Sequence, residues 1–249
     1  MEKRLILCEG KTDAILLSYY LKHILCCRYA QNRNRKFPDL DRIGLTEWYI
    51  DDKGALAIIA IQGHTFLHAV EQIIYMNQKL SKEECFSALA ILADHDDESS
   101  EKMLKTIHHY LQDNAVQKGN IVNNTEWEQL LLPCAFSEYY LFRFCAKLIP
   151  VQEKGALETF IVDMLQNVKD PFMRIENKKM IDQVDVFLKN FHSETYLKKR
   201  RERIKSRLSV TLSIISPDRT FSTINEILQS IAWDKYDTYN KQFLFLKEI

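Results

Sequence analysis

Apolar residues in this chain come in short runs that end abruptly in charge. Leu5-Ile6-Leu7-Cys8 stops at Glu9-Gly10-Lys11-Thr12-Asp13, after which Ala14, Leu17, Leu21, Ile24 and Leu25 recur at helical spacing. That succession predicts a buried strand, a tight turn and a helix, with Gly10 giving the turn its permissive backbone and Thr12 or Asp13 capping the helix. The same unit follows twice more. Ala57-Ile58-Ile59-Ala60-Ile61 ends at Gln62-Gly63-His64 and leads into Phe66, Leu67, Val70, Ile73 and Ile74. Phe86 to Ala93 ends at Asp94-His95-Asp96-Asp97-Glu98 and leads into Met103, Leu104, Ile107 and Leu111. Three strand, loop and helix units in succession predict an α/β fold with a mostly parallel sheet flanked by helices. Ligands of such sheets gather at the carboxyl ends of the strands, which is where Glu9, Gly63 and Asp94 fall.

The segments between these units read less uniformly. Asp51-Asp52-Lys53-Gly54 separates two apolar stretches as a hairpin turn would. Residues 28 to 41 turn polar and basic and mark a loop or insertion. Residues 114 to 137 have no clear period, and Tyr139 to Phe144 suits a strand or a helix, with a strand running on to Ile149-Pro150 favoured. Gly155-Ala156-Leu157-Glu158 opens a periodic helix through Leu165, and residues 177 to 249 read as mainly helical, with a break at Ser216-Pro217-Asp218. The expected organisation is an α/β domain over 1–165 and a helical C-terminal extension over 166–249 packed on it.

Composition narrows the function classes. Of 249 residues, 46% are apolar and 27% charged, the balance of a globular protein. A formal net charge of zero argues against coating nucleic acid through a broad positive field, so a polyanion has to be met by local patches. The concentrated one runs from 198 to 207, where Lys198, Lys199, Arg200, Arg201 and Arg203 can neutralise phosphates or form a solvated helix face. Arg33 to Lys36 is a smaller second patch. The first apolar run breaks at Glu9, too early for a secretory core or a bilayer span, so a cytoplasmic protein without a membrane partner is expected. Six cysteines with no Cys-x-x-Cys pair read as reduced, mostly buried thiols.

The chemistry concentrates in acids. A glutamate at the mouth of the first strand and an Asp-x-Asp at the mouth of a later one are hard oxygen ligands, and two or three such groups hold Mg²⁺ with positions left for phosphate oxygens and water. Alternation along an extended segment sets Asp94 and Asp96 on one side and His95 on the other. In these residues the chain resembles the Toprim domain shared by topoisomerases, primases, maturation ribonucleases and overcoming-lysogenization-defect nucleases: Leu-Ile-Leu-Cys-Glu-Gly-Lys-Thr-Asp-Ala at 5–14 with Asp-His-Asp at 94–96. The resemblance implies a metal-dependent site that cuts or joins DNA or RNA, with Glu9 as general acid/base or ligand and Asp94 and Asp96 binding Mg²⁺ or Mn²⁺. Topoisomerase and primase members usually carry a glycine soon after the Asp-x-Asp; Asp97-Glu98-Ser99-Ser100 stands here, which moves the likeness towards the nuclease branch. The stretch from Lys147-Leu148-Ile149-Pro150 to Gly155-Ala156-Leu157-Glu158 is similar to a small, uncharacterised Toprim-related family.

Secondary candidates surround these three acids. Gly10 and Gly63 serve backbone geometry near the site, Lys11 is a phosphate contact or an exposed turn lysine, and Asp13, Asp97 and Glu158 are further carboxylates or first-turn helix acids. His64 and His68 have the i, i+4 spacing of a metal-binding helix face but lack a third ligand nearby in sequence. Two functions follow: an Mg²⁺-dependent nuclease, or a catalytically silent Toprim-fold binding module acting with a partner such as a separately encoded ATPase in phage defence. Oligomeric state is not legible in the sequence.

Overall fold

The computed structural model describes residues 1–30, 40–95, 98–117, 126–150, 155–191, 195–219 and 222–249. Its centre is four parallel strands: β1 (Glu2–Cys8) lies between β4 (Gly54–Ala60) and β5 (Ala88–Asp94), and β5 pairs on its far side with β7 (Tyr139–Ile149). Antiparallel strands close both edges. β3 (Leu45–Ile50) hairpins onto β4 and carries the two-residue β2 (Arg28–Tyr29), while β6 (Glu128–Pro133) hairpins onto β7, giving the order β2-β3-β4-β1-β5-β7-β6. Every residue of β4 and β5 is buried, as expected of strands covered on both faces.

Alternation along the strands divides the apolar side chains between two layers. Ile6, Cys8, Ile58 and Leu92 face α1 (Lys11–His23) and α4 (Leu157–Gln166), whereas Leu5, Leu7, Ile59 and Ile91 face α2 (Phe66–Asn77) and α3 (Glu98–Asn114). The first layer is thickened by α5 (Pro171–Asn190), α6 (Arg200–Ile215), α7 (Ile224–Ser230) and α8 (Asp237–Gln242). Leu208, Leu212, Trp233, Tyr239 and Phe243 join the same buried cluster as Ile6 and Leu17. Tyr239 donates a 2.5 Å hydrogen bond to the Leu16 carbonyl, fastening α8 to α1.

At the amino ends of the parallel strands a buried cation organises the chain. Arg4 is fully buried, pairs with Asp51 in the β3–β4 turn and donates to the Ile249 carbonyl at 3.2 Å. Lys53 and Arg143 also grip main-chain oxygens there, those of Ile249 at 2.8 Å and Glu248 at 2.6 Å. Burial alone would raise the Asp51 carboxyl, but the guanidinium and the Gly54 and Lys53 amides outweigh it and hold the group below its ordinary range. Gly54 itself has φ +150°, and a Cβ there would sit 2.2 Å from the Glu2 carbonyl, so the turn and the close approach of β1 both require glycine.

Several sequence readings are refined by this architecture. The 139–144 segment is strand and runs on through Ile149, where it serves as the fourth parallel member. The region without period contains β6, an edge strand whose burial alternates residue by residue. Both edges are antiparallel because short hairpin turns leave no length for a crossover helix. No helix among the described residues is long and apolar enough to cross a membrane.

Candidate functional site

The carboxyl ends of β1, β5 and β7 converge on the first turns of α1 and α4, and acids occupy the junction. Glu9 follows the last residue of β1. Its Oε1 accepts a hydrogen bond from the Asp94 amide at 2.9 Å, which places the end of the first strand directly against the end of the third parallel one. Asp94 is buried, and its Oδ1 accepts from the Leu157 amide at 3.0 Å, the first residue of α4. Ala156 occupies the N-cap of that helix and brings no side-chain cap, so Asp94 supplies from another strand the acceptor that a serine or aspartate would normally provide locally.

Asp13 closes the α1 turn by reaching back to accept from the Gly10 amide at 2.9 Å, the return half of a capping box. Burial pushes its carboxyl up to about 7; the Gly10 amide works against that shift, and the neighbouring charges of Glu9 and Glu158 add to it. Glu9, Asp13 and Glu158 therefore share one electrostatic neighbourhood, although two of them were only secondary candidates in the sequence. Cys8 sits in the same surroundings: burial, and then Asp13, Glu47 and Glu9, push its thiol well up, so it is held as the neutral SH.

The rest of the β5 exit is fixed from β7. His95 exchanges backbone hydrogen bonds with Ile149 and Gly155 at 2.8 Å each, and its Nδ1 lies 3.1 Å from the Pro150 carbonyl across a cis Ile149–Pro150 peptide. β5 ends at Asp94, and Asp96 and Asp97 lie outside the described residues, so the alternation expected of the Asp-x-Asp is carried by no described strand. Among the described residues no group of three His, Cys, Asp or Glu side chains is arranged to hold a metal ion. His64 and His68 have ring centroids 6.1 Å apart, with Glu71 3.9 Å from His68, and form no such group.

A family model described as "Protein of unknown function (DUF3226)" matches residues 3–244. The chain belongs to the DUF3226 family. A crystal structure of a hypothetical protein from Pyrococcus horikoshii OT3 is similar to this DUF3226 member at 14% identity and a TM-score of 0.47, covering 99% of this chain and 100% of the other. The comparison with curated proteins finds no match.

The remaining candidates of this DUF3226 chain take no part in the hydrogen bonds that Glu9, Asp13 and Asp94 accept. Lys11 is exposed at the start of α1, and Gly63, with φ +91°, turns the chain after β4 where a Cβ would meet nothing within 4 Å. In α6, Arg203 donates to the Leu188 carbonyl at 3.1 Å, and Arg207 makes a two-pronged pair with Asp185 at 2.6 and 2.8 Å. Both arginines fasten α6 to α5, which leaves Lys198, Lys199, Arg200 and Arg201 as the exposed basic positions at its start. The second basic patch, 33–36, lies outside the described residues. What the sequence did not reveal is the Asp94 to Leu157 bond: the apolar strand and the Gly-Ala-Leu-Glu helix start are both legible, but their contact spans 63 residues.

Proposed function

We propose that the chain carries out metal-dependent phosphodiester chemistry on nucleic acid, as a Toprim-type nuclease with its site at Glu9, Asp94 and Asp96. The observation that supports this most is the 2.9 Å bond from the Asp94 amide to Glu9, because it sets the Glu9 carboxylate against the main chain of an acid 85 positions away, at the strand ends where α/β sheets bind ligands. The donor set suits Mg²⁺ or Mn²⁺: all oxygens, all carboxylate. Burial, with the charges of Glu9 and Glu158 adding to it, drives Asp13 up to about 7, and a bound cation would relieve the part that those charges cause. Glu9, Asp94 and Asp96 would hold it, and when bound it supplies charge for a phosphate oxygen and a more acidic water.

The chain's own residues then have separable tasks. Glu9 is oriented through Oε1 by the Asp94 amide, leaving Oε2 to bind or to hold a proton. Asp94 is anchored through Oδ1 to the head of α4, which sets its other oxygen in a fixed direction. The exposed lysines and arginines at the start of α6 are the positions that could meet a phosphate backbone. A second reading, a silent binding module working through a partner such as an ATPase, is favoured by one fact: each of the two described acids already accepts a backbone amide, a structural task that needs no metal.

The test is cleavage of single- and double-stranded DNA and RNA with Mg²⁺ or Mn²⁺, alongside Glu9→Gln and Asp94→Asn. Loss of cleavage by about a hundredfold or more in both variants supports the assignment. Cleavage that survives both substitutions removes these residues from the reaction, and no cleavage under any condition selects the binding module.

A further inference from the structure

The fold uses one side of α5 and leaves the other open. Ile181, Val184 and Leu188 bury the inner side of this 20-residue helix, which packs on α4 and α6. On the opposite side Phe172, Ile175 and Val186 stand 84%, 69% and 52% exposed. Single exposed apolar residues are ordinary, but these three share one stripe with Lys179, Asp182 and Lys189. Phe172, Lys179 and Val186 fall at the a positions of a heptad and Ile175, Asp182 and Lys189 at the d positions. A stripe of that period is the seam along which one helix meets another. At its middle Lys179 and Asp182 are both exposed, and neither has an ion pair among the described residues.

We propose that a second copy of this chain covers this face, the two α5 helices packing antiparallel across a twofold axis that passes midway between positions 179 and 182. That register sets Lys179 against the partner's Asp182, Ile175 against the partner's Val186 and Phe172 against the partner's Lys189, and the symmetry repeats each layer once. The charges select both the occupant and its direction. A parallel pair would put lysine on lysine and aspartate on aspartate in the central layers, and like charges facing each other oppose association. Turned around, the same helix presents acid to base in both layers, so the face is complementary to itself. The outer layers are apolar or join the Phe172 ring to the stem and ammonium of a lysine. At 1.5 Å per residue the helix offers about 30 Å of contact, which makes a small, reversible interface and not an obligate one. This surface does not depend on the metal-centred reading, because none of its residues is shared with it.

The experiment is sedimentation velocity of the full chain over about 1 μM to 1 mM. A reversible shift from the mass of one chain to that of two is expected, with a dissociation constant of about 1–100 μM. Lys179→Asp and Asp182→Lys each place like charges in both central layers, and each should weaken the dimer at least about tenfold. Mixed in equal amounts the two variants complement one another, and native mass spectrometry should find one copy of each in the restored dimer. Both positions are exposed, so circular dichroism should show the fold intact in either variant; Ile175→Ser, which removes an apolar layer without changing charge, should also weaken association. A single-chain mass at every concentration would overturn the proposal. So would a dimer that both charge reversals leave unchanged, which puts the interface elsewhere, or a mixture of the two variants that stays monomeric, which removes the antiparallel register.

Discussion

Replacing Asp13 with asparagine tests the electrostatics of the acid junction directly. Asparagine keeps an oxygen for the Gly10 amide and is nearly the same shape, so the capping geometry survives and the charge alone is lost. The wild-type carboxyl has a folded value of about 7 against 3.8 for a free aspartate. A group raised in the fold contributes its full stability below the lower value and loses it as pH climbs through the higher one. Near pH 5 the fold gives up about 2 kcal/mol relative to a permanently neutral side chain, and near pH 8 about 4 kcal/mol; solvent reaching the part-buried group lowers both figures.

Urea unfolding of both proteins at about pH 5 and about pH 8, followed by circular dichroism, reads the difference. The Asp13→Asn variant should gain about 2 kcal/mol on wild type across that interval. The direction matters more than the size: the variant becomes relatively better as pH rises. Parallel pH profiles, within about 0.5 kcal/mol, would show that Asp13 is ionised in the fold at little cost and that the crowding of Glu9, Asp13 and Glu158 is not felt. Adding Mg²⁺ at the higher pH separates a further point, since a cation bound among these acids stabilises wild type and narrows the gap.

Other consequences are structural. Arg4→Met leaves Asp51 facing a buried apolar group and removes a donor to the Ile249 carbonyl, so chemical denaturation should register a loss of about 3–5 kcal/mol, with Arg4→Met/Asp51→Asn recovering part of it. Asn77 is fully buried and bonds the Phe86 carbonyl and amide at 3.0 and 2.9 Å and the Tyr140 hydroxyl at 2.6 Å. Asn77→Leu should therefore lower stability by about 2–4 kcal/mol, and a melting temperature within a degree or so of wild type would contradict that network. Gly54→Ala forces a Cβ against the Glu2 carbonyl at a φ that alanine avoids; poor soluble yield or a loss above about 2 kcal/mol is expected. Asp94→Ala frees the Leu157 amide, and hydrogen exchange should speed in the first turn of α4 while α2 on the opposite face keeps its protection.

What the sequence made legible follows the reach of each interaction. β1, β4 and β5 were readable because strands buried on both faces are continuous apolar runs, and the helices after them because one face is apolar at helical spacing. β6 was not, since an edge strand alternates and its identity depends on β7, which lies across a hairpin that includes Phe136 at a positive φ. The places of Glu9 and Asp94 at strand ends were legible because a charge that ends a buried run has to face something polar. Their actual partners were not legible: Glu9 meets a main-chain amide of Asp94, and Asp94 meets a main-chain amide of Leu157, and main-chain donors leave no mark on residue type. The same holds for the cavity of about 820 Å³ between the β6–β7 edge, α4 and α8, whose Trp127, Phe160 and Gln242 come from three distant segments. A side chain's need for a partner is thus written locally, but the partner is chosen by topology. Asp94 shows the consequence. The residue that the motif marks for chemistry also caps a helix, so Asp94→Asn, which can still accept from Leu157, separates its charge from its structural bond, and Asp94→Ala removes both.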